Sequence, residues 1–142
     1  MIILTISISN KIYLRDVTMK EFIDIFMNVV KAKYAQFSGR ARRKEFWGFQ
    51  LVGFVISILL AIIDGILGTM SGGIGMLQGI FALALLIPSV ALIIRRLHDT
   101  DRSGWWALLC VVPLANIALV VLMFLEGTKG TNRFGSDPKA LS

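Results

Sequence analysis

The single histidine of the chain stands among charged neighbours in the run Arg95-Arg96-Leu97-His98-Asp99-Thr100-Asp101-Arg102-Ser103-Gly104-Trp105-Trp106. An imidazole beside two carboxylates can accept a proton or contribute to a metal site. The set is thin for a metal, because catalytic zinc usually has three protein ligands. The one cysteine, Cys110, lies within an apolar stretch and is expected as a packing residue. No serine has a spacing to His98 that predicts a Ser-His-Asp arrangement. Gly127, Gly130 and Gly135 are too loosely spaced for a phosphate loop. No catalytic residue, metal or cofactor is therefore expected. His98 reads as a loop histidine hydrogen-bonded to a carboxylate.

The arginines offer a different chemistry. Arg40, Arg42 and Arg43 lie in Phe37-Ser38-Gly39-Arg40-Ala41-Arg42-Arg43-Lys44-Glu45-Phe46-Trp47, and Arg95, Arg96 and Arg102 in the run above. The guanidinium fork suits phosphate oxygens. Anionic lipids supply such phosphates, at about 1 kcal/mol of attraction per basic residue near the surface. Plain topological anchoring is the simpler use of the same residues. Asp99 and Asp101 beside three arginines suggest a loop partly neutralised by its own ion pairs. The candidate headgroup- or partner-binding set is thus Arg40, Arg42, Arg43, Arg95, Arg96, His98, Asp99, Asp101 and Arg102. A third polar motif runs from Glu126 to Pro138.

These motifs fence three apolar stretches. Phe46 to Ile63, Gly65 to Ile94 and Ser103 to Leu125 contain no charged residue. Eighteen or more such residues can cross a hydrocarbon core of about 30 Å as a helix. With 56% apolar and 17% charged residues, the composition is that of an integral membrane protein. Spans are expected at about 46–67, 75–94 and 105–125, within one membrane domain over 19–138 and a tail over 139–142. Most Lys and Arg precede the first span, and the loop after it has none. The bias puts the N-terminus inside, so the net charge of +6 reads as topology rather than nucleic-acid binding.

Several finer expectations follow. Thr18-Met19-Lys20-Glu21 reads as a capping box opening a helix to about Tyr34, either at the membrane interface or packed on the bundle. Met1 to Asn10 lack the features of a signal peptide, and residues 1–18 are expected as an extension, with Met19 as a candidate start that a terminal-peptide mass spectrum would test. Gly53, Ser57, Ala61 and Gly65 form a small-residue ridge facing Gly75 and Gly79 within one chain, and a homo-oligomer seam is the competing use. Asp64 is expected in solvent at the outer end of the first span. Pro88 is expected to kink the second. Trp47, Trp105 and Trp106 are interfacial anchors. Around Pro113 two arrangements compete: a kinked full span, which the length favours, and a re-entrant hairpin, which would keep the basic tail inside.

The Gly-Arg-Ala-Arg-Arg-Lys-Glu-Phe-Trp run, the Arg-Arg-Leu-His-Asp-Thr-Asp-Arg-Ser-Gly-Trp-Trp run and the terminal Gly-x-x-Gly-x-Asn-Arg-Phe-Gly run occur in order around these spans. Together they resemble the small bacterial inner-membrane family of unknown function typified by YhaH and YhaI. The resemblance covers roughly residues 33 to 138. It implies a multi-span fold in the bacterial inner membrane and no reaction. Ser136 stands where relatives often carry proline. The fold class expected is all-α membrane: an interfacial N-terminal helix and three hydrophobic helices, the third kinked or re-entrant. The function expected is non-enzymatic, the binding of membrane lipids or a partner protein at the cytoplasmic face. The alternative is a small oligomeric transporter or channel subunit, with Gln50 and Asn116 facing a path.

Overall fold

The computed structural model describes residues 18–140, and the expectations for residues 1–17 lie outside them. Within that range the chain is mostly helical. Helix α1 covers residues 18–31, α2 Arg43–Leu67, α3 Met76–Asp99 and α4 Ala115–Phe124, with a 3-10 helix over Gly104–Cys110. A two-stranded hairpin, β1 Met70–Ser71 and β2 Ile74–Gly75, joins α2 to α3. Its tip is Gly72-Gly73, both at positive φ, as a two-residue turn of this hand requires.

Among the described residues two helices, α2 and α3, are long and apolar enough to cross a membrane, with mean hydropathy of 2.3 and 2.4. Their outer faces, including Phe54, Leu59, Leu83 and Leu86, are exposed, which suits a lipid surround rather than water. The buried core gathers near one end, around Phe49, Leu92, Leu97, Leu119 and Met123.

Helix α1 lies against α2. Phe26 stacks on Phe49 with ring centroids 5.1 Å apart. Phe22 fills the space above Gly48, where a Cβ would come within 2.9 Å of its ring. Phe26 and Val29 are buried, while Met19, Ile23 and Met27 stay exposed beside Leu51 and Val55. The helix therefore packs on the bundle and also extends the apolar surface of α2.

The third apolar stretch is not one helix. Seven residues of 3-10 helix and ten of α4 are separated by a break at Val111–Leu114, where Leu114 has a φ of 67°. Each arm is about 15 Å long, half a hydrocarbon core. The arms pack on each other, and both ends return to the same end of α3: the Arg102 amide donates to the Leu97 carbonyl at 2.9 Å, and the Thr128 amide to the Asp99 carbonyl at 2.8 Å. The kinked full span expected around Pro113 is thus replaced by a hairpin. Apolar composition could not distinguish the two, because both present the same apolar side chains to lipid.

Asp64 also departs from expectation. It is fully buried, not solvated. Its carboxylate accepts from the amides of Leu77 at 3.1 Å and Gln78 at 3.0 Å and from the Thr69 hydroxyl. Those amides are orphan donors in the first turn of α3, and the residue at its N-cap, Gly75, has no side chain to serve them. A Cβ on Gly75 would lie 1.9 Å from Oδ2 of Asp64, so glycine is what lets the carboxylate in.

The small-residue ridge is used only in part. Gly53 faces Leu85 and Phe26, and the Ser57 carbonyl accepts from Gln78 Nε2 at 3.3 Å. Ala61 is half-buried. Gly65 and Gly79 do not meet: a Cβ at either would touch nothing within 4 Å. The carboxylate cap, rather than glycine-on-glycine contact, joins α2 to α3 at this end.

Helix α3 runs unbroken through the buried Pro88. Proline lacks the N–H that would bond the carbonyl four residues earlier, that of Ala84. The Tyr34 hydroxyl takes its place, donating to the Ala84 carbonyl at 2.7 Å.

Candidate functional site

The first, second and third polar motifs meet at the Asp99 end of α3. The centre is a buried ionic knot. Arg40 Nε donates to Asp99 Oδ1 at 3.0 Å, and Arg96 Nη1 to Asp99 Oδ2 at 2.5 Å. All three side chains are at most 5% exposed. One carboxylate cannot satisfy two guanidiniums. Backbone carbonyls complete the set: Arg40 also donates to Thr128, Gly130 and Gly135, and Arg96 to Met123 and Leu125. The forked, multi-donor shape of arginine is what allows one side chain to serve so many acceptors.

The tail is shaped to provide those carbonyls. Gly127 lies so close to Asp99 that a Cβ would fall 2.0 Å from Oδ2. Asn132 Nδ2 donates to the His98 carbonyl and the Thr128 hydroxyl, each at 2.8 Å. Asp137 accepts from the Gly130 and Lys139 amides at 3.1 and 2.9 Å, which hold its carboxyl below its ordinary range, the Lys139 amide most. Glu126 is likewise held low, first by its bond from the Lys139 ammonium and then by the Arg43 charge.

His98 does not bond a carboxylate. Its Nδ1 lies 3.1 Å from the Gly39 carbonyl, and its ring stacks on Phe134 at 3.9 Å and 4°. Asp99 serves the knot, and Asp101 pairs with Arg133 at 3.2 Å. The His98, Asp99 and Asp101 side chains therefore take separate partners.

Other expected site residues divide by depth. Arg95 is buried, with Nη1 donating to Glu45 at 2.7 Å; Lys33 shares that carboxylate at 3.0 Å. Its Nε and Nη2 are buried without a partner among the described residues, as are Arg102 Nε and Trp47 Nε1. The expected outward patch thus loses Arg40, Arg95 and Arg96 to the interior. Ion pairing near span ends does not reveal depth in a sequence, and the carbonyls that bind these arginines belong to no residue type. Arg42 is half-buried and Arg43 exposed, the latter 3.4 Å from Glu126. Arg102 lies over the Trp106 ring at 5.4 Å. Trp47 packs on Phe124 at 4.3 Å, while Trp105 is exposed. Gln50 is half-buried near Phe54, and Asn116 is exposed on α4. Cys110 is exposed rather than a packed core residue.

Sequence reasoning saw the third motif but gave it no site role. The signal was there: Gly127 and Asn132 belong to the Gly-x-x-Gly-x-Asn-Arg-Phe-Gly run that carries the resemblance, and the first lies against Asp99 while the second bonds the His98 carbonyl.

Comparison with known proteins agrees with the resemblance drawn from the motifs. Residues 34–136 match the family described as "Protein of unknown function (DUF805)". The chain is 44% identical to the inner membrane protein YhaH of Escherichia coli (strain K12) over 119 residues, 82% of this chain and 98% of that protein. It is 48% identical to the inner membrane protein YhaI of the same strain over 115 residues, 80% of this chain and 94% of that protein. The uncharacterized protein YiiR of that strain is 27% identical over 128 residues, covering 71% and 84%. No solved structure matches. The chain belongs to the DUF805 family of proteins of unknown function and, with relatives that are inner membrane proteins, is itself a membrane protein.

Proposed function

We propose that this chain is a non-enzymatic inner-membrane protein that crosses the bilayer with α2 and α3, keeps both termini in the cytoplasm and binds anionic lipid headgroups there. One observation carries the reading. The three polar motifs gather at one end, where Arg40, Arg95 and Arg96 are buried while Arg43, Lys44, Arg133 and Lys139 stay at the surface. Their exposed ion pairs with Glu21, Asp101 and Glu126 are weak in water and can be exchanged for phosphate. Positive residues favour the cytoplasmic side, and a hairpin that returns to its own face brings the basic tail to that side as well.

The test is lipid retained on purification. Changing Arg43, Arg133 and Lys139 to glutamine removes surface charge without touching the knot. Copurified phosphatidylglycerol and cardiolipin should fall at least tenfold in the folded, inserted variant, because three residues at about 1 kcal/mol each change affinity on the order of a hundredfold. Unchanged anionic lipid would sink the proposal, as would a C-terminal fusion active only outside the cell.

A further inference from the structure

A second feature of the same end is unrelated to surface charge. A cleft of about 570 Å³ separates α3 from the 3-10 helix, with Val90, Ile94 and His98 on one wall, Leu108 and Cys110 on the other, and Phe134 of the tail near His98. Val90 and His98 are eight residues apart on α3, so the cleft runs about 12 Å along the helix. Its lining is apolar except where His98 and Ser103 meet it.

The polar end is chemically specific. Nδ1 of His98 faces the Gly39 carbonyl, which can only accept, so in the neutral ring the proton sits on Nδ1. Nε2 is then an acceptor. It points to the cleft side, within 3.5 Å of where a Cβ on the cleft-lining Gly104 would be, and makes no hydrogen bond among the described residues. The Ser103 hydroxyl oxygen accepts from the Trp105 amide at 3.5 Å, which leaves its proton to donate. An acceptor and a donor thus both line an otherwise hydrocarbon groove.

A chain entering this groove from lipid gains little from the groove walls, because lipid is as apolar as they are. Discrimination must come from the polar end. We propose that the cleft binds a membrane lipid whose headgroup carries a hydrogen-bond donor, with an acyl chain along α3 and the donor on His98 Nε2. The inference rests on the membrane setting of α3, but not on the binding of anionic headgroups.

Cys110, the single cysteine, reports occupancy directly. The full chain is placed in nanodiscs of phosphatidylcholine, whose headgroup has no donor, or with phosphatidylethanolamine added, whose ammonium is a donor. Both lipids are net neutral, so surface electrostatics does not enter the comparison. Alkylation of Cys110 by N-ethylmaleimide, read by mass, should slow about two- to tenfold with phosphatidylethanolamine, the factor one hydrogen bond gives. His98→Phe should abolish the difference. Val90→Trp, which plugs the far end of the cleft without touching the histidine, should abolish it too. A control cysteine at Leu59, in a Cys110→Ser background, should react equally in both lipids. Equal Cys110 rates in the two lipids, or a difference that persists in His98→Phe, would overturn the proposal.

Discussion

Asp99 occupies the space that a side chain on residue 127 would need. A Cβ there would fall 2.0 Å from Oδ2, while that same oxygen receives Arg96 and its partner oxygen receives Arg40. The glycine of the tail and the carboxylate of α3 are two halves of one fit.

Removing the charge from Asp99 leaves two buried guanidiniums without a counter-ion. Asp99→Asn should lower stability by about 3–5 kcal/mol, as loss of one member of a buried ionic group does. Gly127→Ala should cause a comparable loss by displacing the carboxylate. The double variant should be little worse than either single one, because both break the same contact. Denaturation in mild detergent measures all three, and strict additivity would show the two sites to be independent.

The far end of the bundle depends on the Asp64 cap. Asp64→Ala should cost about 1–2 kcal/mol, the range for loss of a helix cap. Gly75→Ala should be destabilising because its methyl would enter the carboxylate. Gly79→Ala, four residues on, meets nothing and should be neutral or stabilising by up to about 1 kcal/mol. Equal effects at the two glycines would contradict the geometry.

Tyr34→Phe should cost about 1–3 kcal/mol by orphaning the Ala84 carbonyl. Pro88→Ala restores a backbone donor to that carbonyl. In the Pro88→Ala background the tyrosine change should therefore cost clearly less, and a double-mutant cycle reads the coupling.

Acid should loosen the tail before the spans. Glu126 and Asp137 have carboxyls held below their ordinary range, so their contribution is complete above the unfolded values of about 4 and is lost as pH falls through the lower folded values. Protection of the Gly130 and Lys139 amides, corrected for intrinsic exchange, should hold from pH 7 to 5 and decline below about pH 4. Loss of protection between pH 7 and 5 would point to another group.

Much of this architecture was legible in the chain. The lengths of the apolar stretches predicted α2 and α3, and the order of the three polar motifs predicted the family. What escaped was of one physical kind. Asp64 caps a helix that starts a dozen residues later, and no local pattern records such a cap. Arg40 and Arg96 donate most of their hydrogen bonds to backbone carbonyls, which every residue carries. The hairpin at Leu114 presents to lipid the same apolar residues that a spanning helix would, so hydropathy reads both alike. Tyr34 and Pro88 are each visible alone, and only the fold makes them partners.

The backbone acceptors for Arg40 and Arg96 lie between residues 123 and 135, close to the end of the described chain and so late to leave the ribosome. Until then two guanidiniums destined for the interior have only Asp99 between them. The nascent protein cannot close this end of the bundle ahead of time, and a product that stops short of residue 123 leaves two guanidiniums to share one carboxylate. Closure of this end thus waits for the tail, whatever the order in which the helices form.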